Sequence, residues 1–427
     1  MRQITEAEKY YHSFLRFGMK PGLTNTRKLM NKLGNPQDSL KFIHVAGTNG
    51  KGTVCSLIAS VLTQEGYTTG LYTSPFIVDF RERIRVNMKM ITPDELESVT
   101  EKVKKAVDEL NSEGVTITEF EAVTAAGFEY FKEKKCDFVV LETGLGGRFD
   151  STNIINSPLC SVITSISMDH MAILGDTIEK IASEKSGIIK RGCPVATSSR
   201  QPADAIQVIM KTAFQNGSPL FISDFSKIKT EREDIFGSDV IYKGRKYHIP
   251  FPGDIQRENF SVAIKTLEII KKDEPYEKVY EGIAETKNPA RTEIISKHPM
   301  IILDGCHNEG SAKALRNTIE NYLKDKKIHA FTGMMKDKDI NKFADILSPC
   351  FDKVTCVKPS NPRSEDAESL AEIYRSRNIE TDTATISKED LEKAVKSTTD
   401  NEVLIVCGSL YLCSDVRENL IDIVNKL

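Results

Sequence analysis

Gly47, Gly50, Lys51, Gly52 and Thr53 stand close together between the apolar run Phe42–Ala46 and the helical pattern Val54–Leu62. Glycines in such a turn let successive backbone N–H groups face one anion. A lysine beside them reaches terminal phosphates, a threonine hydroxyl can hold Mg²⁺, and the helix that follows adds favourable potential at its N-terminus. The chemistry is nucleotide phosphate binding. The spacing departs from G-x-x-x-x-G-K-[ST]: the first glycine would stand at Val45, and Gly52 intervenes between Lys51 and Thr53. Two glycines alone would suit any strand-to-helix turn. The full set points to ATP, although the loop by itself suits any ATP or GTP user.

A second set begins at Glu142, which closes the run Phe138–Leu141 and is followed by Gly144, Gly146, Gly147, Arg148, Asp150, Thr152 and Asn153. A carboxylate at the end of a buried strand, before a glycine-rich turn, is where open α/β sheets place ligands and metal. Such an acid equally caps a helix or pairs with Arg148. Further on, Ile163 to His170 ends another strand with Asp169 and His170. A lone histidine is more often structural, yet His170 and Glu142 at equivalent strand ends could converge on one divalent ion near the phosphates.

These residues need strand ends to hold them, and the pattern supplies them. Short β-rich runs alternate with longer helical patterns, which predicts parallel sheets with crossover helices. Strands are predicted at 42–46, 69–72, 137–142, 159–165, 194–197 and 220–222, with helices over 95–111 and 119–132. Residues 239–249 read as a hairpin around Lys243-Gly244, followed by a helix from about Gln256 to Lys272. After a break at Asn288-Pro289 a second alternating series begins, with strands at 300–303, 328–331, 353–357 and 403–406. The expectation is an α/β protein of two domains, 1–294 and 295–427.

The 427 residues are 40% hydrophobic and 28% charged, enough to bury sizeable cores. A net charge of -3 disfavours bulk nucleic-acid binding, though a local basic cleft could receive an anionic substrate. The run from Met1 to Lys9 has no apolar signal core, and no later run is long and apolar enough to span a bilayer. Nine cysteines form no C-x-x-C pair and read as reduced, buried thiols of a cytoplasmic protein.

The motifs in order resemble the folylpolyglutamate synthase and dihydrofolate synthase family of the Mur-ligase superfamily, and in particular the Gram-positive folylpolyglutamate synthases. The matching stretches are H-V-A-G-T-N-G-K-G-T from His44, Y-T-S-P-F from Tyr72, F-R-E-R-I from Phe80, T-E-F-E from Thr118 and L-E-T-G-L-G-G-R-F-D-S-T-N from Leu141. They continue with I-T-S-I-S-M-D-H from Ile163, E-K-S-G from Glu184, N-P-A-R-T-E from Asn288, D-G-C-H-N from Asp304, D-K-D from Asp337 and G-S-L-Y-L from Gly408. The resemblance covers almost the whole chain. It implies a P-loop-type ATPase domain with a mostly parallel sheet and a small antiparallel element, then a Rossmann-like glutamate ligase domain.

By the same resemblance, Asn49, Gly50, Lys51, Gly52 and Thr53 hold the ATP phosphates, and Ser74, Glu142 and His170 are the Mg²⁺ ligands. Asn259, Arg291 and Asp304 match nucleotide contacts, and His307 a cleft residue for glutamate or phosphate. Lys185 matches a lysine carried as a carbamate, N6-carboxylysine, in which added CO₂ turns a cation into an oxygen-donor anion. Bare sequence would read it as a solvated helix lysine. Thr53 stands where serine is usual, and Phe76, Thr143, Ile255, Ala290 and Glu309 also depart from the family pattern. Phe76 and Ile255 lie in segments near the proposed substrate cleft, which leaves the preferred pterin open.

The implied reaction is ATP-dependent addition of L-glutamate to the γ-carboxyl of tetrahydrofolate or its polyglutamates through an acyl phosphate, giving ADP and phosphate. The implied partners are reduced folate, glutamate and ATP, with no nucleic acid and no membrane, and the expected state is a monomer. Dihydrofolate synthase, or an enzyme with both activities, is the nearest alternative. A nucleotide-dependent switch is disfavoured by the lack of an N-K-x-D guanine signature, and a cell-wall Mur ligase by the F-R-E-R-I and T-E-F-E segments.

Overall fold

The computed structural model describes residues 4–14, 22–271 and 276–427. They form two compact units: residues up to 228 together with 258–286, and residues 229–257 together with 287–427. The chain therefore passes between the units three times, after Ile228, Arg257 and Thr286. Segment 229–257 stands with the C-terminal residues, a different grouping from the division at 294 and 295 expected from the sequence. Its Ile235 is buried in the same apolar cluster as Ile302, Leu315 and Ile319, which accounts for the grouping.

The first unit is built on eight strands: β1 (Phe42–Ala46), β2 (Thr69–Tyr72), β3 (Ile84–Val86), β4 (Lys89–Met90), β5 (Phe138–Glu142), β6 (Cys160–Ile163), β7 (Val195–Ser198) and β8 (Leu220–Ser223). Their order is β4-β3-β2-β5-β1-β6-β7-β8, parallel except for the β2-β3-β4 meander. β1 lies between β5 and β6, with Val45 opposite both Glu142 and Val162. All five β1 residues are buried, as a central parallel strand covered on both faces requires.

Helices α1 (Glu6–His12), α2 (Thr24–Lys32), α3 (Lys51–Gln64), α4 (Pro93–Ser112), α5 (Glu119–Glu133), α6 (Met171–Leu174), α7 (Ile178–Ser186), α8 (Ala203–Gln215), α9 (Asp254–Ile270) and α10 (Tyr276–Ala284) complete it, α9 contributing from residue 258 onward. The predicted end of α9 at Lys272 lies outside the described residues, as do Met1 to Gln3. α4 and α5 start where the sequence offers a capping box: Thr92 with Glu95, and Thr118 with Glu121. Their apolar stripes join Tyr11, Leu29 and Phe128 in one core, while α7 and α8 bury Ile181 and Ile209 in a second. Full burial of each such side chain stabilises the fold by about 1.5–3 kcal/mol. α3 has buried residues from Thr53 through Leu62, and α10 approaches it so closely that a Cβ on Gly282 would lie 2.5 Å from Val61 Cα.

The second unit contains an antiparallel sheet, β9 (Lys229–Asp234), β10 (Gly237–Tyr242) and β11 (Arg245–Ile249), which is the predicted hairpin with one more strand. Its larger sheet has β12 (Glu293–Lys297), β13 (Met300–Leu303), β14 (Lys327–Thr332), β15 (Lys353–Cys356), β16 (Glu380–Thr383) and β17 (Glu402–Cys407) in the order β12-β13-β17-β14-β15-β16, with only β12 antiparallel. Helices α11 (Glu309–Tyr322), α12 (Ile340–Leu347), α13 (Ala367–Arg375), α14 (Lys388–Ser397) and α15 (Leu410–Val424) connect and cover it. Both large sheets are mostly parallel, as the alternating pattern predicted. All nine cysteines are free, and seven are buried. No helix of the described residues is long and apolar enough to cross a membrane.

Candidate active site

β1 delivers the chain to Gly47, and α3 starts four residues later with Gly50 as its N-cap. Gly50 is left-handed (φ 83°), and a Cβ there would lie 2.2 Å from Asn259 Oδ1; one on Gly47 would meet Thr164 Oγ1 at 1.8 Å. Glycine is therefore dictated at both points by close approach, and at Gly50 by backbone conformation as well. No side chain caps α3. Its first N–H groups are the kind of donors that bind phosphate.

The loop rests on the segment that follows β6. Ser165 O accepts from Thr48 N at 2.8 Å and Asn49 N at 3.3 Å, and Thr164 Oγ1 donates to Asn49 O at 2.8 Å. Asn49 Nδ2 donates to Ser167 Oγ at 3.2 Å, while Thr48 Oγ1 donates to Ser167 O and accepts from Ser167 N, both at 3.1 Å. Lys51 folds back over the loop, its Nζ donating to Gly47 O at 3.2 Å and Thr48 O at 3.3 Å. Thr53 is buried in the first turn of α3.

Lys185, at the end of α7, is not a solvated lysine. It is 4% exposed, and its Nζ donates to Gly47 O at 2.7 Å. Burial, then the nearby Lys51 charge, pushes its amine down to about 7.

Glu142 closes β5 and is buried, and its Oε2 accepts from Ser74 N at 3.1 Å. The carboxylate faces the start of α3: a Cβ on Gly52 would lie 3.7 Å from Glu142 Oε2. Gly52, Ser74 and Glu142 are thus brought together. His170 sits on the turn after β6 with a left-handed backbone (φ 48°) and a side chain 39% exposed, its Nε2 3.9 Å from Asp169 Oδ1. Among the described residues no three His, Cys, Asp or Glu side chains gather as a metal site. A cation beside Glu142 would therefore also need a hydroxyl such as that of Ser74. A buried carboxylate beside a serine hydroxyl is an oxygen-donor pair that fits a hard divalent cation such as Mg²⁺, and among the described residues no metal-holding cluster adds the His170 imidazole to it.

The turn after Glu142 is held from below. Asp150 accepts from Leu145 N at 2.8 Å and from Thr152 Oγ1 at 2.5 Å, and Thr152 Oγ1 also lies 2.9 Å from His44 Nε2. Burial raises the Asp150 carboxyl against these hydrogen bonds and pushes His44 down to about 3. Beside this turn is a cavity of about 430 Å³ lined by Gly22, Thr24, Arg27, Lys28, Arg148 and Phe149 among others.

In the second unit, Asp304 follows β13 and accepts from Thr292 N and Thr292 Oγ1, each at 2.8 Å, and from Cys306 N at 2.9 Å. Arg291 is flanked by two left-handed residues, Ala290 (φ 56°) and Thr292 (φ 48°), so Asp304 secures the turn that carries it. His307 lies just before α11 with Nδ1 2.8 Å from Gly305 O. Sequence reasoning did not anticipate the supporting residues Thr48, Thr164, Ser165, Ser167, Thr152 and His44. All six lie inside the stretches singled out for their neighbours, and Thr152 was named among those after Glu142, but none was given this supporting role.

Two family profiles match the chain: Mur ligase middle domain over residues 45–267, and Mur ligase, glutamate ligase domain, over residues 290–410. The chain is 37% identical over 428 residues to the dihydrofolate synthase/folylpolyglutamate synthase of Bacillus subtilis, covering 97% of this chain and 98% of the relative. It is 36% identical over 433 residues to the folylpolyglutamate synthase of Lacticaseibacillus casei, covering 98% of each. The Mycobacterium tuberculosis folylpolyglutamate synthase complexed with ADP and AMPPCP superposes with a TM-score of 0.87 at 28% identity, over 96% of this chain and 97% of that one.

Proposed function

The chain belongs to the folylpolyglutamate synthase and dihydrofolate synthase family of Mur ligases, and from that membership we propose which acceptor it serves and which residues do the work. It is an ATP-dependent ligase that adds glutamate to folate. The acceptor we assign is the γ-carboxyl of tetrahydrofolate and its polyglutamates. The observation that carries the assignment of chemistry is the uncapped start of α3 with Lys51, set beside the Glu142–Ser74 pair.

A carboxylate does not acylate an amine at neutral pH, because oxide is too poor a leaving group. The acceptor carboxylate attacks the γ-phosphorus of ATP, the bond to the β–γ bridging oxygen breaks, and ADP leaves with that oxygen. The amine of glutamate then attacks the acyl carbon; phosphate departs, and the amine loses a proton. Lys51 and the α3 N–H groups offset the charge on the phosphates; the loop holds the N–H groups in place before substrate arrives, and Lys51 swings to the phosphates from Gly47 O and Thr48 O. Mg²⁺, held by Ser74, Glu142 and His170, would supply further neutralisation of phosphate charge when bound. Asn259 beside Gly50, together with Arg291 and Asp304, is assigned to the nucleotide, and His307 to glutamate or phosphate.

Lys185 is proposed to act as N6-carboxylysine. An amine held near 7 has a neutral fraction that can attack CO₂, forming an N–C bond with loss of a proton. The match of residues 290–410 to a glutamate ligase domain supports placing glutamate in 295–427, with ATP and folate in 1–294. The cavity beside Arg27, Lys28 and Arg148 supports a folate pocket there, since Phe149 and the cations complement an aryl group and carboxylates. We take the working form to be a cytoplasmic monomer, the free cysteines supporting a reducing compartment.

Dihydrofolate synthase activity is the second reading, supported by the double name of the Bacillus subtilis relative. Purified protein incubated with ATP, glutamate and either tetrahydrofolate or dihydropteroate separates the two. The expected product is tetrahydrofolate heavier by one glutamyl unit. No such gain on tetrahydrofolate would refute the main assignment.

A further inference from the structure

Gln201 lies outside every motif tied to the reaction, yet its carboxamide is buried and engaged on both sides. Its Nε2 donates to Thr164 O at 2.7 Å and to Thr197 Oγ1 at 3.1 Å, and its Oε1 accepts from Ile166 N at 3.1 Å. Thr197 Oγ1 in turn donates to Ile163 O at 2.9 Å, so the β7 end and the residue two positions before Ala203 of α8 grip the chain as it leaves β6. What they grip is the template of the phosphate loop. Apart from the Lys51 amine on Thr48 O, Thr164, Ser165 and Ser167 make every contact described above to Thr48 and Asn49.

We propose that Gln201 is a positioning residue for nucleotide binding: it fixes the path of residues 164–167, and these set the course of Thr48 and Asn49 and the aim of the N–H groups that follow. The assignment rests on reading Gly47–Thr53 as the phosphate loop of ATP. The carboxamide meets the geometry because it donates and accepts at once. Leucine would leave Thr164 O and Ile166 N unpaired in the interior, and an ionised carboxylate would set oxygen against oxygen at Thr164. A neutral carboxyl is different, because its O–H can donate to Thr164 O while the other oxygen still accepts from Ile166 N.

The test is calorimetric titration of ADP into the full-length protein and its Gln201→Leu and Gln201→Glu variants, with folding checked by circular dichroism and thermal melting. Weakening of ADP by about tenfold is expected in Gln201→Leu, with KM for glutamate unchanged. Gln201→Glu, which keeps size and shape and serves if the leucine variant does not fold, should bind ADP poorly at high pH. Relative to wild type it should recover as pH falls. Wild-type ADP affinity in a folded variant at every pH, or a parallel rise of KM for all substrates, would overturn the proposal. Failure of the wild-type protein itself to bind ADP would instead remove the phosphate-loop reading beneath it.

Discussion

Lys51 and Lys185 donate to the same acceptor, the carbonyl oxygen of Gly47, at 3.2 and 2.7 Å. Two amines from different helices thus meet at the first residue of the phosphate loop. Lys51 also touches Thr48 O and is partly exposed, so it can leave for an incoming phosphate; Lys185 is enclosed.

The Lys185 amine should make stability depend on pH in one direction. Its pKa falls from 10.5 to about 7 on folding. Between those values the unfolded chain keeps a proton that the native state has released, so this contribution raises stability with pH across the window. Below about 7 the native state carries the full cost of a buried ammonium. In protein freed of CO₂, so that the amine is unmodified, Lys185→Met should therefore raise the melting temperature over wild type more near pH 6 than near pH 9.5, while ligase activity is lost.

His44 acts at lower pH. Burial takes it from 6.5 to about 3, so between those values the unfolded chain binds a proton that the native protein refuses. Stability should drop as pH falls through this window. Urea midpoints of wild type and His44→Gln, compared at about pH 7 and pH 4.5, should show a steeper acid loss in wild type.

Gly50→Ala should weaken ADP binding at least about a hundredfold, because the new methyl must displace Asn259 and move the loop by about an ångström. Gly66 is a control. It is also left-handed (φ 92°) but has open space around a Cβ, so Gly66→Ala should cost only about 1–2 kcal/mol of stability and leave ADP affinity intact. Calorimetry with thermal melts separates the two effects.

Glu142→Gln keeps the volume and can still accept from Ser74 N, but it removes the charge that faces the start of α3. Turnover should fall by about a hundredfold or more, with the Mg²⁺ activation curve displaced to higher concentration. An unchanged Mg²⁺ requirement would argue against Glu142 as a ligand.

Strand positions were legible because buried parallel strands are near-continuous apolar runs: Phe138–Leu141 is wholly apolar, and Phe42–Ala46 is broken only by His44. The edge strands β4, β9 and β16 are polar, β4 and β16 are short as well, and nothing in their periodicity marks them. Lys51 and Glu142 could be read directly, since phosphate and metal chemistry demand those residue types at strand ends. Lys185 could not, because its burial depends on α7 packing against the loop. Gln201 was invisible for the same reason: a single amide shows its partners only after β6 and β7 lie side by side.

The threefold passage of the chain between its units has a consequence for truncated genes. A stop codon after Ile228 would spare every strand of the eight-stranded sheet, yet it would delete Asn259 from beside Gly50 and strip α10 from the Val61 side of α3. Such a fragment should be a poor nucleotide binder despite carrying the entire phosphate loop. A fragment that keeps Asn259 and α10 must run on to Thr286, and it then carries segment 229–257 without Ile302, Leu315 and Ile319, the apolar residues that Ile235 is buried with.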